Sequence, residues 1–312
     1  MRIEYHRTLI ADRARNDAFH RALSKCIVKG KTVVADIGAG TGLLGMMAAK
    51  LGAREVFLYE TAEVAGVAAA HLKANRAKAC HILPCHSTEM QDPPRVDLVV
   101  SETLGNYALE EDIIETLNDA HDRYLKPGAT VIPARITQAV APVISGRIAA
   151  ELAAWDDVGF GLDLSIAKTM SLNNAYVRTI KPAELLDNGA SAKVWDTVDL
   201  TRPAKANRKG EAGWKLGAAA TIHGFAAWWI ADLVEGVTLS TAPGAPATHW
   251  EQLYFPLLRP IEAKAGDTVA IALRSKSSIA SGTHLAWTAT HTGKSGKQLD
   301  RQVMDLDKGW LP

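Results

Sequence analysis

The chain has 312 residues, 47% of them hydrophobic, enough for one large core or two ordinary ones, and two is the expectation at this length. Its 35 Lys and Arg against 34 Asp and Glu leave a formal net charge of +1, which gives no support to a general nucleic-acid or membrane-surface binder. Cys26, Cys80 and Cys85 are too few for a disulfide framework, no stretch reaches the ~18 apolar residues of a membrane span, and the charged opening MRIEYHR is unlike a secretory signal, so a reducing cytoplasm is the expected setting.

In chain order, residues 1–133 alternate strand-like runs with helix-like periods. KTVVADIG, REVFLYE, HILPC, RVDLVVSE and ATVIP read as strands, and GLLGMMAAKLGA, AEVAGVAAAHLKANRA and LEEDIIETLNDAHDRYL as helices. That alternation predicts a parallel sheet wound with helices. In the last helix Ile113, Ile114, Leu117, Ala120 and Tyr124 share one face, which should meet the sheet, and Lys126-Pro127-Gly128 supplies the stop. After Pro133 the runs ARITQAVAPVI, WKLGAAATIHGFAAWWIADLV, GVTLS, LYFPLL, DTVAIALR and HLAWTATHT are separated by Gly, Pro and polar clusters, which predicts an antiparallel β domain over 134–312. A helix-like insertion at about 163–187 interrupts it. Its Ile166, Met170, Leu172, Leu185 and Leu186 have no evident place to be buried in their own domain, which predicts a two-fold homodimer.

The first strand ends in Gly38, Gly40 and Gly42 and leads into a helix, so a ligand can approach the backbone beside unpaired helix N–H groups. Gly40, Gly42 and Gly45 also satisfy the G-x-G-x-x-G of dinucleotide sites, and a nicotinamide dehydrogenase is therefore a competing reading. Asp36 favours the other ligand class, because a carboxylate there repels a pyrophosphate, whereas S-adenosylmethionine carries an ammonium and no phosphate. Glu60, ending the next strand, can take the ribose hydroxyls of either cofactor.

Glu102 emerges from the fourth strand in SETLGNYALEE, and Glu111 follows nine residues later at a helix start. Two carboxylates that converge repel each other unless a cation lies between them. A guanidinium fits: it is planar, carries five donors and must be oriented before one nitrogen can attack a methyl group. The predicted acceptor is therefore arginine, held by paired hydrogen bonds from both glutamates. Cys80-His81 and Cys85-His86 repeat a Cys-His pair without a second ligand pair at metal spacing, so no metal is expected.

VADIGAGTGLLGMMAAKLGAREVFLYE, SETLGNYALEE, RYLKPGATVIPARI and LSTAPGAPATHWEQLYFPL together resemble the protein arginine methyltransferases, in order and spacing from about His6 to Leu258. The resemblance implies a class I methyltransferase α/β fold followed by an antiparallel β-barrel-like domain, S-adenosylmethionine as cofactor, and methylation of arginine in a protein or peptide. It implies that Glu102 and Glu111 bind and polarise the guanidinium, and that His249 and Trp250 form a loop closing the substrate groove, with His249 assisting proton departure. His6 and Arg15 would contact the cofactor, Arg15 on its carboxylate with Asp12 in the same D-x-x-R pattern, and Glu89 would read the adenine. The insertion at about 163–187 would be a dimerisation arm. Thr103 and Asn106 stand where the family has bulky or aromatic residues, which leaves a small guanidino compound or another amine as an alternative acceptor. The family's tyrosine-rich first helix has no counterpart ahead of His6, so an open donor site, or a scaffold with weak turnover, is a further expectation.

Overall fold

The computed structural model describes residues 3 to 308. Two helices lead in, α1 (Ile3–Ala11) and α2 (Arg13–Cys26). They break at Asp12, whose extended backbone and carboxylate cap α2 by accepting the Arg15 N–H. There follow β1 (Val33–Ile37), α3 (Leu43–Lys50), β2 (Glu55–Tyr59), α4 (Val64–Ala74), β3 (Cys80–Leu83), β4 (Val96–Ser101), α5 (Ile113–Arg123) and β5 (Leu125–Ile132). The five strands form one parallel sheet of order β3-β2-β1-β4-β5. Its central strand β1 is buried along its whole length, as a strand covered on both faces must be. The predicted face of α5 does meet the core, with Ile113, Ile114, Leu117, Ala120 and Tyr124 all buried. Lys126-Pro127-Gly128, expected as a helix stop, instead lies inside β5, where the register with β4 shifts between Val96 and Leu98. Its proline and glycine fit because the ladder is interrupted there.

The remaining elements are β6 (Arg135–Val143), α6 (Arg147–Leu152), α7 (Ser165–Leu172), β7 (Tyr176–Arg178), β8 (Lys193–Asp199), β9 (Asn207–Lys215), β10 (Ala220–Val234), β11 (Val237–Ser240), β12 (Gln252–Ala263), β13 (Thr268–Ser278), β14 (Gly282–Thr292) and β15 (Gln298–Asp305). They build two antiparallel sheets, β7-β12-β10-β6-β8 with β11 paired to β10, and β15-β14-β13-β9. Among the described residues no ladder joins the two sheets into a closed barrel. The helical insertion begins earlier than the composition suggested, at Arg147. Of its apolar residues Leu172 and Leu185 are buried in a core of their own with Trp228 and Tyr254, while Ile166 and Met170 are exposed beside Phe160, Leu162 and Leu164. Among the described residues no helix is long and apolar enough to cross a membrane.

Candidate active site

At the carboxyl ends of β1 to β4 the parallel sheet opens into a cleft of about 260 Å³. Residues just past each strand line it: Gly38 and Gly40 after β1, Glu60 after β2, Cys85, His86 and Ser87 after β3, and Glu102 after β4. This is the edge at which wound parallel sheets bind ligands. From above, Tyr5, His6, Leu9 and Ile10, one face of α1, close it together with Arg15 and His249.

The glycine loop is shaped by close approach. Gly38 has φ +75°, and a β-carbon there would lie 2.6 Å from Thr103 Cγ2. The Gly40 N–H is turned onto the Glu60 carboxylate at 2.8 Å, and the other Glu60 oxygen accepts the Ala62 N–H at 2.8 Å. Asp36 is buried and accepts the Gly45 N–H at 2.8 Å through one oxygen. Burial pushes its carboxyl up to about 7 against that bond.

Four buried polar atoms of the lining have no protein partner: His6 Nε2, Asp36 Oδ1, Tyr59 Oη and Ser87 Oγ. Unsatisfied buried polar atoms are costly and scarce in folded proteins, and their grouping in one cleft marks it as built for a polar ligand. The donor set suits S-adenosylmethionine, which has hydroxyl, amine and adenine groups to satisfy such atoms along one elongated molecule.

The two glutamates both reach this cleft. The Glu102 side chain is buried and accepts the Arg15 guanidinium, from Nε at 2.6 Å and also from the adjacent terminal nitrogen. A third Arg15 nitrogen donates to Asn16 Oδ1 at 2.7 Å. The structure thus joins Arg15 to Glu102, a contact the sequence did not suggest. Glu111 lies on the solvent-facing rim, yet desolvation first, and then the charges of Glu102, Glu110 and Asp112, push its carboxyl up to about 7. Neighbouring Glu110 turns away: it accepts the Asn106 N–H at 2.9 Å and folds so tightly over Gly105 that a β-carbon there would collide with its carboxylate.

His249 comes from the loop between β11 and β12 and is fixed by Asp12. One Asp12 oxygen caps α2, and the other accepts both the backbone N–H of His249 and its Nδ1 at 2.8 Å. Burial alone would raise the Asp12 carboxyl, but the bonds from His249 and Arg15 hold it below the usual range. An Nδ1–H donated to a carboxylate leaves the Nε2 lone pair of His249 free to accept.

Two expected residues stand elsewhere. Trp250 is buried beneath the glutamate loop and does not line the cleft: its indole N–H donates to the Leu104 carbonyl at 2.7 Å, and its ring meets Trp229, whose own N–H holds the Gly105 carbonyl at 2.9 Å. A buried indole must satisfy its N–H, and here the loop backbone does so. Glu89 also lies outside the lining, in a short turn whose carboxylate bends back towards the His86 N–H, while His86 and Ser87 face the cleft. Tyr5, Cys85, His86 and Ser87 were missed. Tyr5 could have been found from the helical spacing Tyr5, His6, Leu9, Ile10, and the other three from their place directly after a parallel strand.

A family model described as the arginine methyltransferase oligomerization subdomain matches residues 136–291, and one described as ribosomal protein L11 methyltransferase matches 20–154. The chain is 31% identical over 291 residues to arginine N(omega)-methyltransferase of Streptomyces achromogenes subsp. streptozoticus, covering 86% of this chain and 75% of that one. It is 29% identical over 262 residues to protein arginine N-methyltransferase 6 of Xenopus tropicalis, covering 80% and 77%. The structure of the Trypanosoma brucei PRMT1 enzyme-prozyme heterotetrameric complex with AdoHcy superposes with a TM-score of 0.86 at 24% identity, covering 97% of this chain and 98% of that one, which is a likeness of fold. The sheet order and the glycine-loop cleft define a class I methyltransferase. Within that class, the chain belongs to the protein arginine N-methyltransferase family.

Proposed function

We propose that the protein transfers a methyl group from S-adenosylmethionine to a guanidinium nitrogen of arginine in a protein or peptide. The observation that carries this reading is the opening of Glu102 and Glu111 onto the same cleft as the glycine loop and its unpartnered polar atoms. When bound, the donor supplies an electrophilic methyl on a sulfonium. His6, Asp36, Gly38, Gly40, Glu60 and Ser87 hold it, with Arg15 set between the donor's seat and Glu102.

Glu102 and Glu111 accept paired hydrogen bonds from the acceptor and align one terminal nitrogen with the methyl group. The incoming cation offsets the repulsion that raises Glu111, so acceptor binding favours the ionised pair. Formation of the nitrogen–carbon bond would be matched by cleavage of the methyl–sulfur bond, whose electron pair stays on the departing neutral thioether, and the attacking nitrogen would lose a proton. His249 Nε2 can take it, because Asp12 holds the ring by Nδ1 and stabilises the imidazolium. Trp250 acts from below by pinning the loop that carries Glu102.

A second acceptor class has specific support. The Streptomyces relative is named for arginine and not for a protein, and the small Thr103 lines the cleft next to Glu102. Incubation with methyl-labelled donor, Arg peptides and free arginine, read by mass spectrometry, tests both: a methylarginine product is expected, and no labelled acceptor of either class would sink the reading. For assembly, the exposed apolar segment 160–170 is assigned to a homodimer contact, supported by the oligomerization-subdomain match. The cytoplasm is the assigned setting, supported by three free cysteines.

A further inference from the structure

The two antiparallel sheets share no ladder among the described residues, yet a ring of buried polar side chains joins them. Each sheet supplies one cross-strand pair: Gln138 faces Asp196 across β6–β8, and Ser275 faces Arg208 across β13–β9. Arg208 clamps the Asp196 carboxylate from Nε at 2.9 Å and from a terminal nitrogen at 2.5 Å, and that nitrogen also donates to the Thr197 carbonyl at 2.8 Å. The Gln138 amide donates to Asp196 at 3.2 Å. Gln138, Asp196 and Ser275 are all buried. Taking a carboxylate and a guanidinium out of water is costly even when they are paired, and the best-attested use of such a pair is to fix one arrangement over others.

The last member of the ring comes from the other half of the molecule. Tyr107, in the loop between Glu102 and Glu111, is buried, and its hydroxyl bonds Ser275 with Gln138 as its second polar neighbour. Burial pushes the phenol up to about 12 against those bonds, so it stays neutral and keeps them near neutral pH. The same residue sets the turn that delivers Glu111: the Tyr107 carbonyl accepts the Glu110 N–H at 2.9 Å, and the Tyr107 N–H donates back to the Glu110 carboxylate at 3.4 Å. Glu111 is next in the chain. Glu102, by contrast, is held by the end of β4 and by Arg15. None of the five ring residues lines the cleft.

We propose that Tyr107 is a positioning residue for Glu111, and that Ser275, Gln138, Asp196 and Arg208 are the anchor through which the antiparallel half holds this acceptor carboxylate in place. The proposal rests on the arginine-acceptor reading above. A displacement of about 1 Å in an aligned group costs on the order of 100-fold in rate, so one hydroxyl bond behind the cleft is enough to matter.

The test uses the full chain, an Arg peptide and saturating donor. Tyr107→Phe and Ser275→Ala, which cut the same bond from its two ends, should each lower kcat/KM for the peptide about 10-fold or more, while the calorimetric Kd of S-adenosylhomocysteine changes less than about twofold. The double variant should be no worse than either single one, because only one bond is lost. Ser275→Thr, which keeps the hydroxyl, should recover most of the rate. Asp196→Asn, remote from the cleft, should lower kcat/KM in the wild type and have no effect on top of Tyr107→Phe. Wild-type kinetic constants in both single variants, whatever their melting temperatures, would overturn the proposal, as would losses that multiply in the double variant or an Asp196→Asn change that is silent in the wild type. Where Tyr107→Phe does not fold, Ser275→Ala decides. No methyl transfer to arginine by the wild type would count against the acceptor reading, and carbon NMR titration of the Glu111 carboxyl, assigned with Glu111→Gln, then reports on the positioning by itself. Burial and the charges of Glu102, Glu110, Asp112 and Glu60 hold that carboxyl up at about 7. Its release in Tyr107→Phe should lower the midpoint by about one pH unit or more, and an unchanged midpoint would overturn the proposal.

Discussion

At the scale of single residues, the acceptor carboxylates are the most exposed to test. Glu102→Gln and Glu111→Gln should each lower methyl transfer by ~100-fold or more, the scale of losing one aligned electrostatic partner, with donor affinity in calorimetry little changed. Near-normal turnover in both would remove them from the chemistry. Glu111 also has a pH signature. Its folded-state pKa of about 7 lies above its ordinary 4.5, so the stability it contributes is complete below about pH 4.5 and is lost as the pH rises through about 7. Glu111→Gln should therefore match the wild type in urea denaturation at pH 4 and exceed it by about 1 kcal/mol at pH 8, the shift being discounted because the residue is exposed at the rim. A difference that does not grow with pH would show that its carboxyl is not raised. That Asp36, Glu60 and Glu102 line the cleft follows from their places at or next to the ends of parallel strands, whereas Glu111, ten residues past β4, could be placed only by its spacing from Glu102. Trp250 and Glu89 lie off the cleft lining, because a motif fixes where the backbone goes while the polar group of each turns to a backbone partner, the Leu104 carbonyl and the His86 N–H.

Among elements, the parallel half was readable because its strands and helices differ in period, and every predicted strand and helix of residues 1–133 is present. The antiparallel half was less so: β7, β8, β15 and most of β9 were not foreseen, since YVR is only three residues long, KVWDTVD and NRKGEAGWK are mostly polar, and QLDRQVMD has no apolar run longer than Val303-Met304. What the alternation also hid is the joint between the two halves. Asp12 caps α2 with one oxygen and seats His249 with the other, so a single carboxylate couples the N-terminal helices to the β11–β12 loop. Asp12→Ala should lose the cap, worth about 1 kcal/mol, and leave two buried donors of His249 unpaired at about 1–3 kcal/mol more. Its melting temperature should drop clearly and its turnover should fall with it; a variant as stable as the wild type would show that the loop has another anchor.

For the whole molecule, the surface points to self-association. Phe160 is 97% exposed and holds a left-handed backbone at φ +58°, between Gly159 at φ +73° and Gly161 at φ +69°. A bulky residue in that region is strained, and strain of this kind persists where the surroundings gain from it. Here it presents an aromatic ring to solvent beside exposed Leu162, Leu164, Ile166 and Met170. Each such side chain gains about 1.5–3 kcal/mol when buried, and a two-fold contact would use the patch from both copies, so association at micromolar concentration is expected. The polar substitutions Phe160→Asp and Ile166→Asp would leave charges in the contact while touching no core residue, and the double variant should sediment as a monomer with unchanged far-ultraviolet circular dichroism. A wild-type chain that sediments as a monomer at micromolar concentration would remove the dimer outright. A double variant that still dimerises would move the contact to another face.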